Sequence, residues 1–165
     1  MLQKQSIDNQ SNIFQEFVAN FDVRDLAEKK LPDEKDLKTV EEKFRITLPF
    51  SYRSFVLEHG MVYTPNLLDF VINNHNILPD VQEFLDTAEL ILSNEIYWQR
   101  GMDKNYFGFA ADCMGNLICF NIEDLRCPSP PDAPIYFFDH VFITTKLIAD
   151  SFLSWLYALN QLRLQ

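Results

Sequence analysis

Glycine is scarce in this chain, four in 165 residues, and cysteine and histidine are scarcer still at three each. So little glycine leaves few positions for turns that need φ > 0, and it argues against a flexible linker or a repeat array. Cys113, Cys119 and Cys127 form no CxxC pair and leave an odd count, so reduced thiols are expected instead of a disulfide framework. No apolar run reaches the roughly 18 residues that a membrane-spanning helix needs, which excludes a membrane partner of that kind. The first twelve residues, MLQKQSIDNQSN, are polar and lack the apolar core of a signal peptide. The expected compartment is the cytoplasm. Positive charge is also short: 14 Lys and Arg face 24 Asp and Glu, a net charge of −10. Residues 1–60 hold 9 cations and 11 anions, whereas residues 61–165 hold 5 and 13, so the deficits are −2 and −8. Such a field repels a phosphate backbone and excludes nucleic acid as a partner. It favours the approach of a basic protein.

Motifs of chemistry are absent as well. There is no Walker lysine loop, no GxGxxG and no GxSxG. His59 is predicted to end a helix, where positive charge suits the dipole, and His75 falls in a predicted turn. The pair Asp139-His140 could supply a base and its orienter, but no third member of a triad is identifiable. Cys113, Cys119 and His140 lack the close ligand pairs of a zinc site. Asp112, Gly115 and Asn116 lack the further acids of a calcium loop and read as turn chemistry. No catalytic, cofactor-binding or metal-binding residue is assigned, and no cofactor is expected.

What is present is a core. The chain is 47% hydrophobic with fifteen Phe, enough for one domain over residues 1–165 that buries roughly 70% of its extended surface. Residues 1–11 are expected to be flexible. Asn12 with Gln15 offers a capping pattern ahead of Ile13, Phe14, Phe17, Val18 and Phe21. A second helix is expected near Pro32, with Asp33, Glu34 and Asp36 in its first turn. In LPFSYRSFVLEHG, residues 48–60, Pro49 opens a helix, Tyr52, Phe55 and Val56 form one stripe, and Gly60 stops it. Residues 61–72 are rich in strand-forming types on either side of Pro65. Residues 73–76 read as a turn, and 80–98 as a helix with Val81, Phe84, Leu85, Ala88, Ile91 and Leu92 inward. Residues 106–122 read as a hairpin turning at Met114-Gly115-Asn116. CPSPPDAP is a loop, and 135–143 an apolar strand broken at Asp139-His140. Thr144 or Thr145 would cap a last helix carrying Ile148, Phe152, Trp155, Leu156 and Leu159. The order is α+β: N-terminal helices, a mainly antiparallel sheet packed against helices, and a C-terminal helix.

These pieces, in this order, resemble the SUKH superfamily, which includes the yeast Smi and Knr cell-wall regulators and many bacterial immunity proteins. Leu37, Val40, Glu41 and Phe44 lead into Leu48-Pro49, Tyr52, Phe55 and Gly60. Phe107, Phe109, Gly115, Asn116, Leu117 and Phe120 resemble the family's hairpin. Ile148, Ala149, Ser151, Phe152 and Leu156 resemble its closing helix. The likeness covers residues 33–160 and departs at Met61-Val62 and in the long Pro-rich loop. It implies a non-enzymatic binding module, and most directly an immunity protein that neutralises a cognate toxin by contact. The acidic excess suits a basic toxin such as a nuclease. Asp103, Glu123, Asp124, Asp132 and Asp139, near predicted strand ends and loops, are the candidate contacts. The alternatives are a regulatory scaffold of the Smi/Knr type and an enzyme using Asp139 and His140. Oligomeric state is left open.

Overall fold

The structure is a computed structural model that describes the backbone of residues 2–25, 27, 29, 31–74, 78–128 and 130–163, with side chains from residue 9 onward. His75 and Asn76 of the expected turn lie outside the described residues. Among the described residues seven helices and five strands follow one another: α1 Leu2–Phe21, α2 Glu34–Phe44, α3 Phe50–His59, α4 Leu67–Asn73, β1 Glu83–Phe84, α5 Thr87–Gln99, β2 Tyr106–Ala111, β3 Leu117–Asn121, α6 Ile122–Leu125, β4 Ile135–Asp139, β5 Thr144–Ala149 and α7 Phe152–Gln161. The strands form one sheet in the order β1-β2-β3-β4-β5, antiparallel throughout. The fold is α+β, as the element order implied.

Local chemistry sets most element ends. Asp33 accepts from the Asp36 amide at 2.8 Å while Asp36 accepts from the Asp33 amide at 3.0 Å, a reciprocal cap that starts α2. Pro49 stands at the N-cap of α3, and Gly60 ends it with φ +73°, a conformation that glycine adopts without a Cβ clash. The Ser151 hydroxyl accepts from the Ser154 amide and starts α7.

Register separates the two faces of the sheet. Side chains alternate across a strand, so the pairs Leu117↔Phe138 and Cys119↔Tyr136 share one face. There α5 packs: the Tyr97 and Phe138 rings are 6.0 Å apart, and the Trp98 indole donates to the Tyr106 carbonyl at 2.9 Å. The other face carries Phe120, with Phe109 stacked on it at 4.3 Å. Over these rings lie Tyr52 from α3, and Phe152 and Trp155 from α7, all completely buried. Phe14 and Phe17 of α1 close the layer against Phe55. Aromatic pairs in edge-to-face contact add about 0.5–1.5 kcal/mol each beyond their burial.

Four expectations fail, three of them where tertiary partners outrank local pattern. First, α1 begins at Leu2, ten residues before Asn12, where the capping pattern placed its start. Second, residues 61–72 do not form a strand beyond a single bridge, Tyr63↔Glu83. After Pro65 the chain turns into α4, burying Leu67 and setting Phe70 against Phe21 at 5.7 Å. Third, the helix expected over 80–98 starts only at Thr87. Residues 82–85 are taken up by bonds to neighbouring strands, Gln82 N–H to Ala111 and Leu85 N–H to Phe109. Asp86 and Glu89 then cap each other, and the buried face of α5 is Leu90 and Asn94, with Leu92 59% exposed. Fourth, Thr144 and Thr145 begin β5, not the last helix.

Candidate functional site

The five carboxylates divide between the two ends of the sheet. Asp103 precedes β2, and Asn105 beside it accepts from the Ile122 amide at 2.7 Å, so the 103–105 turn and α6 lie together. Asp103 is exposed and accepts from the Asn105 amide at 2.8 Å. Glu123 is exposed and pairs with Arg126 at 2.5 Å; Asp124, in the same turn of helix, is half-buried. The structure therefore brings Asp103, Glu123 and Asp124 to one end. Asp132 belongs to that end too, since it leads into β4, but its oxygens are engaged. They accept from the Ser51 hydroxyl at 2.8 Å and from the Phe152 and Leu153 amides at 2.9 and 3.2 Å. This carboxylate ties the start of α7 to the start of α3. Asp139 sits at the opposite end, where its Oδ1 accepts from the Val141 and Phe142 amides at 2.9 and 3.0 Å.

That opposite end holds the two hairpin turns side by side. In the first, Asp112 accepts from the Met114 and Asn116 amides at 2.8 Å each, and Gly115 takes φ +84°. In the second, residues 140–143 join β4 to β5. Asn116 Oδ1 accepts from the His140 amide at 3.1 Å and lies 2.8 Å from its Nδ1, locking one turn to the other. Tyr97 braces both by donating to the Gly115 carbonyl at 2.5 Å. The second turn exposes three apolar residues in succession: Val141, Phe142 and Ile143 are 68%, 76% and 47% accessible. Ile143 has φ +54°, a left-handed conformation that costs an L-residue roughly 1–2 kcal/mol and suits a β-branched one least.

The geometry gives these groups no catalytic arrangement. Asp139 directs its carboxylate into the turn amides, and the His140 Nδ1 faces Asn116, so Asp139 does not orient the imidazole. Cys119 is completely buried, and desolvation pushes its thiol well above the usual range. Cys113 is exposed, yet burial of its surroundings and the carboxylates of Asp80 and Asp112 raise it too. Such thiols are protonated and unreactive. Among the described residues no three His, Cys, Asp or Glu side chains converge as metal ligands would. His59 also departs from expectation. It is buried against Phe14 and Phe55, and desolvation lowers its pKa, so it is neutral aromatic core and not a cationic helix end.

The model of the SMI1 / KNR4 family (SUKH-1) matches residues 31–158, from the approach to α2 through most of α7. The chain belongs to the SMI1 / KNR4 family. The resemblance read from residues 48–60, 107–120 and 148–156 is therefore real, and it lies in the fold's fastenings. Leu48, Tyr52, Phe55 and Phe152 are core, while Pro49, Gly60 and Gly115 start or turn the chain. The SMI1 / KNR4 fold is generally a non-catalytic binding fold, known for protein–protein interaction. A crystal structure of a protein from Pseudomonas syringae pv. tomato aligns with a TM-score of 0.52 at 14% identity, covering 90% of this chain and 94% of that one. At that identity the likeness is one of fold alone. None of the curated proteins matches. No helix among the described residues is long and apolar enough to cross a membrane.

Residues 141–143 were missed as surface because an apolar run after IYFF continues a strand pattern. The available signal was Asp139, a residue whose side chain commonly folds back on the amides that follow it.

Proposed function

We propose that this chain is an immunity protein that binds a cognate toxin domain by direct contact and blocks its active site or substrate channel. The observation that carries the reading is the exposed turn Val141-Phe142-Ile143. Three consecutive large apolar residues in water gain nothing for the fold, and a patch of this kind is a usual mark of a protein-binding surface. Family membership supports it, because the fold is generally a non-catalytic binding fold. The acidic excess favours a basic toxin such as a nuclease, whose phosphate-binding groups a carboxylate-rich surface attracts. Asp103, Glu123 and Asp124 remain candidate contacts at the far end of the sheet.

The test is co-expression with the product of the gene adjoining this chain's own, which the proposal requires to be the toxin. The two proteins should co-purify as a stoichiometric complex, and the toxin's activity should fall to background on titration with this chain. A neighbouring toxin left fully active by excess protein would refute the assignment and leave the regulatory scaffold as the standing alternative.

A further inference from the structure

A groove of about 390 Å³ lies between the face of α5 bearing Glu89, Ser93 and Tyr97 and the β2–β3 turn. Its acidic lining residues are Glu83, Glu89 and Asp112, and among the described residues no Lys or Arg lines it. Arg24, which donates to the Met61 carbonyl at 3.1 Å, comes within 4.0 Å of Glu83. The groove and the apolar turn share a wall. Gly115 and Tyr97 line the groove. A Cβ on Gly115 would lie 3.9 Å from the His140 ring, next to Val141, and the Tyr97 and His140 rings are 6.4 Å apart. On the other side, Ile143 lies over Gly101, its Cγ2 3.5 Å from where a Cβ there would stand. Asn116, Asp139 and Tyr97 fix both turns by hydrogen bonds, so the surface is organised before any partner arrives, which lowers the entropic cost of association.

We infer that this end of the sheet is the toxin-contacting surface, and that it takes a basic protein partner presenting a Lys or Arg beside an apolar pocket. The cation enters the groove, and the Phe142 side chain fills the pocket. The inference rests on the toxin-binding reading above. Charge chooses the occupant, since the groove is anionic and residues 61–165 carry a net −8. A second copy of the chain brings the same excess and is repelled. Strand addition at β5 is guarded: Lys146 stands on that edge, and the register slips between Ile135↔Ala149 and Tyr136↔Leu147, leaving a bulge at Ile148.

The test uses the full chain and the purified toxin domain encoded beside its gene, with calorimetric titration in 50 and 500 mM NaCl. Phe142→Asp should weaken binding by about 100-fold or more at both salts, as loss of a central aromatic anchor does. Phe142→Ala, which adds no charge, should weaken it by at least ~10-fold. Glu83→Gln with Glu89→Gln should weaken it about tenfold at 50 mM and much less at 500 mM, where charges are screened. Thermal melts should match the unaltered chain, because Phe142 is exposed and Gln preserves the cap at Glu89. Unchanged affinity in all of these, with Glu123→Lys/Asp124→Lys binding weakly, would overturn the surface and leave the toxin-binding reading intact. Absence of binding by the unaltered chain would overturn both. Sedimentation showing a dimer that Phe142→Asp dissolves would assign the turn to a second copy and overturn the basic partner.

Discussion

Replacing Asn94 should cost more stability than any surface change, and its size follows from three hydrogen bonds. Asn94 is completely buried on α5. Its amide nitrogen donates to the Gly108 carbonyl at 2.8 Å and to the Leu90 carbonyl at 2.8 Å, and its Oδ1 accepts from the Gly108 amide at 2.7 Å. Gly108 is where β2 slips register against β3, so Asn94 serves backbone groups at the irregularity. Asn94→Ala strands both groups of Gly108 in the interior at roughly 1–3 kcal/mol each. The Leu90 carbonyl keeps its helical partner. The expected loss is about 3–5 kcal/mol, against a total of about 5–15 for a domain of this kind. Urea unfolding followed by fluorescence reads it, with Trp98 reporting α5 and Trp155 the aromatic layer; coincident curves license a two-state value. Asn94→Asp separates polarity from shape. One oxygen still accepts from Gly108, but the other faces carbonyl oxygens and must be protonated to donate. A buried carboxyl has a raised pKa, so its stabilising contribution is complete below the unfolded value and lost as pH rises through the folded one. The deficit of Asn94→Asp relative to the unaltered chain should therefore be large at pH 7 and shrink towards pH 4. A loss under about 1 kcal/mol for Asn94→Ala would refute the clamp, being no more than an ordinary hydrogen bond.

Three further outcomes are open to measurement. Arg45, exposed at the end of α2 with φ +54°, should gain about 1 kcal/mol on replacement by Gly, which relieves the left-handed strain; an unchanged urea midpoint would contradict this. Asp80 is buried, and desolvation first, then the Asp112 charge, raises its pKa against a bond from the Cys113 amide. Its contribution is thus complete below the unfolded pKa and lost as pH rises through the folded one, so Asp80→Asn should stabilise at pH 7 and give no gain at pH 3 in paired melts. Reversal of Glu123 and Asp124 together, at the end of the sheet far from Phe142, should change toxin affinity only slightly and only at low salt, through long-range charge; a loss larger than that of Phe142→Asp would move the contact to their end.

Much of the fold was legible from short-range chemistry. The Asp33–Asp36 cap, the Pro49 start and Gly60 stop of α3, and the turn at Gly115 each depend on residues within four positions of one another. Their outcome needed no distant partner. The site was less legible. Asp103, Glu123, Asp124, Asp132 and Asp139 share only their nearness to strand ends and loops in the sequence; Asp132 and Asp139 fasten backbone amides, which proximity to a loop does not distinguish from contact with a partner.

By itself, then, the sequence determined the class, the family and the start and stop of α3, because periodicity and much helix-end chemistry are local. Tertiary structure alone decided residues 61–72, 80–86 and 144–149. These stretches fit two periods, and the choice fell to whichever backbone groups of Val62, Phe109, Ala111 or β4 were waiting to be paired. It also decided that Val141, Phe142 and Ile143 face water while the similar run Ile135 to Phe138 is largely covered. Apolar side chains carry no mark of which way they will point. Only tertiary packing, such as that of Tyr97 from α5 on Phe138 of β4, covers the one run and leaves the other open.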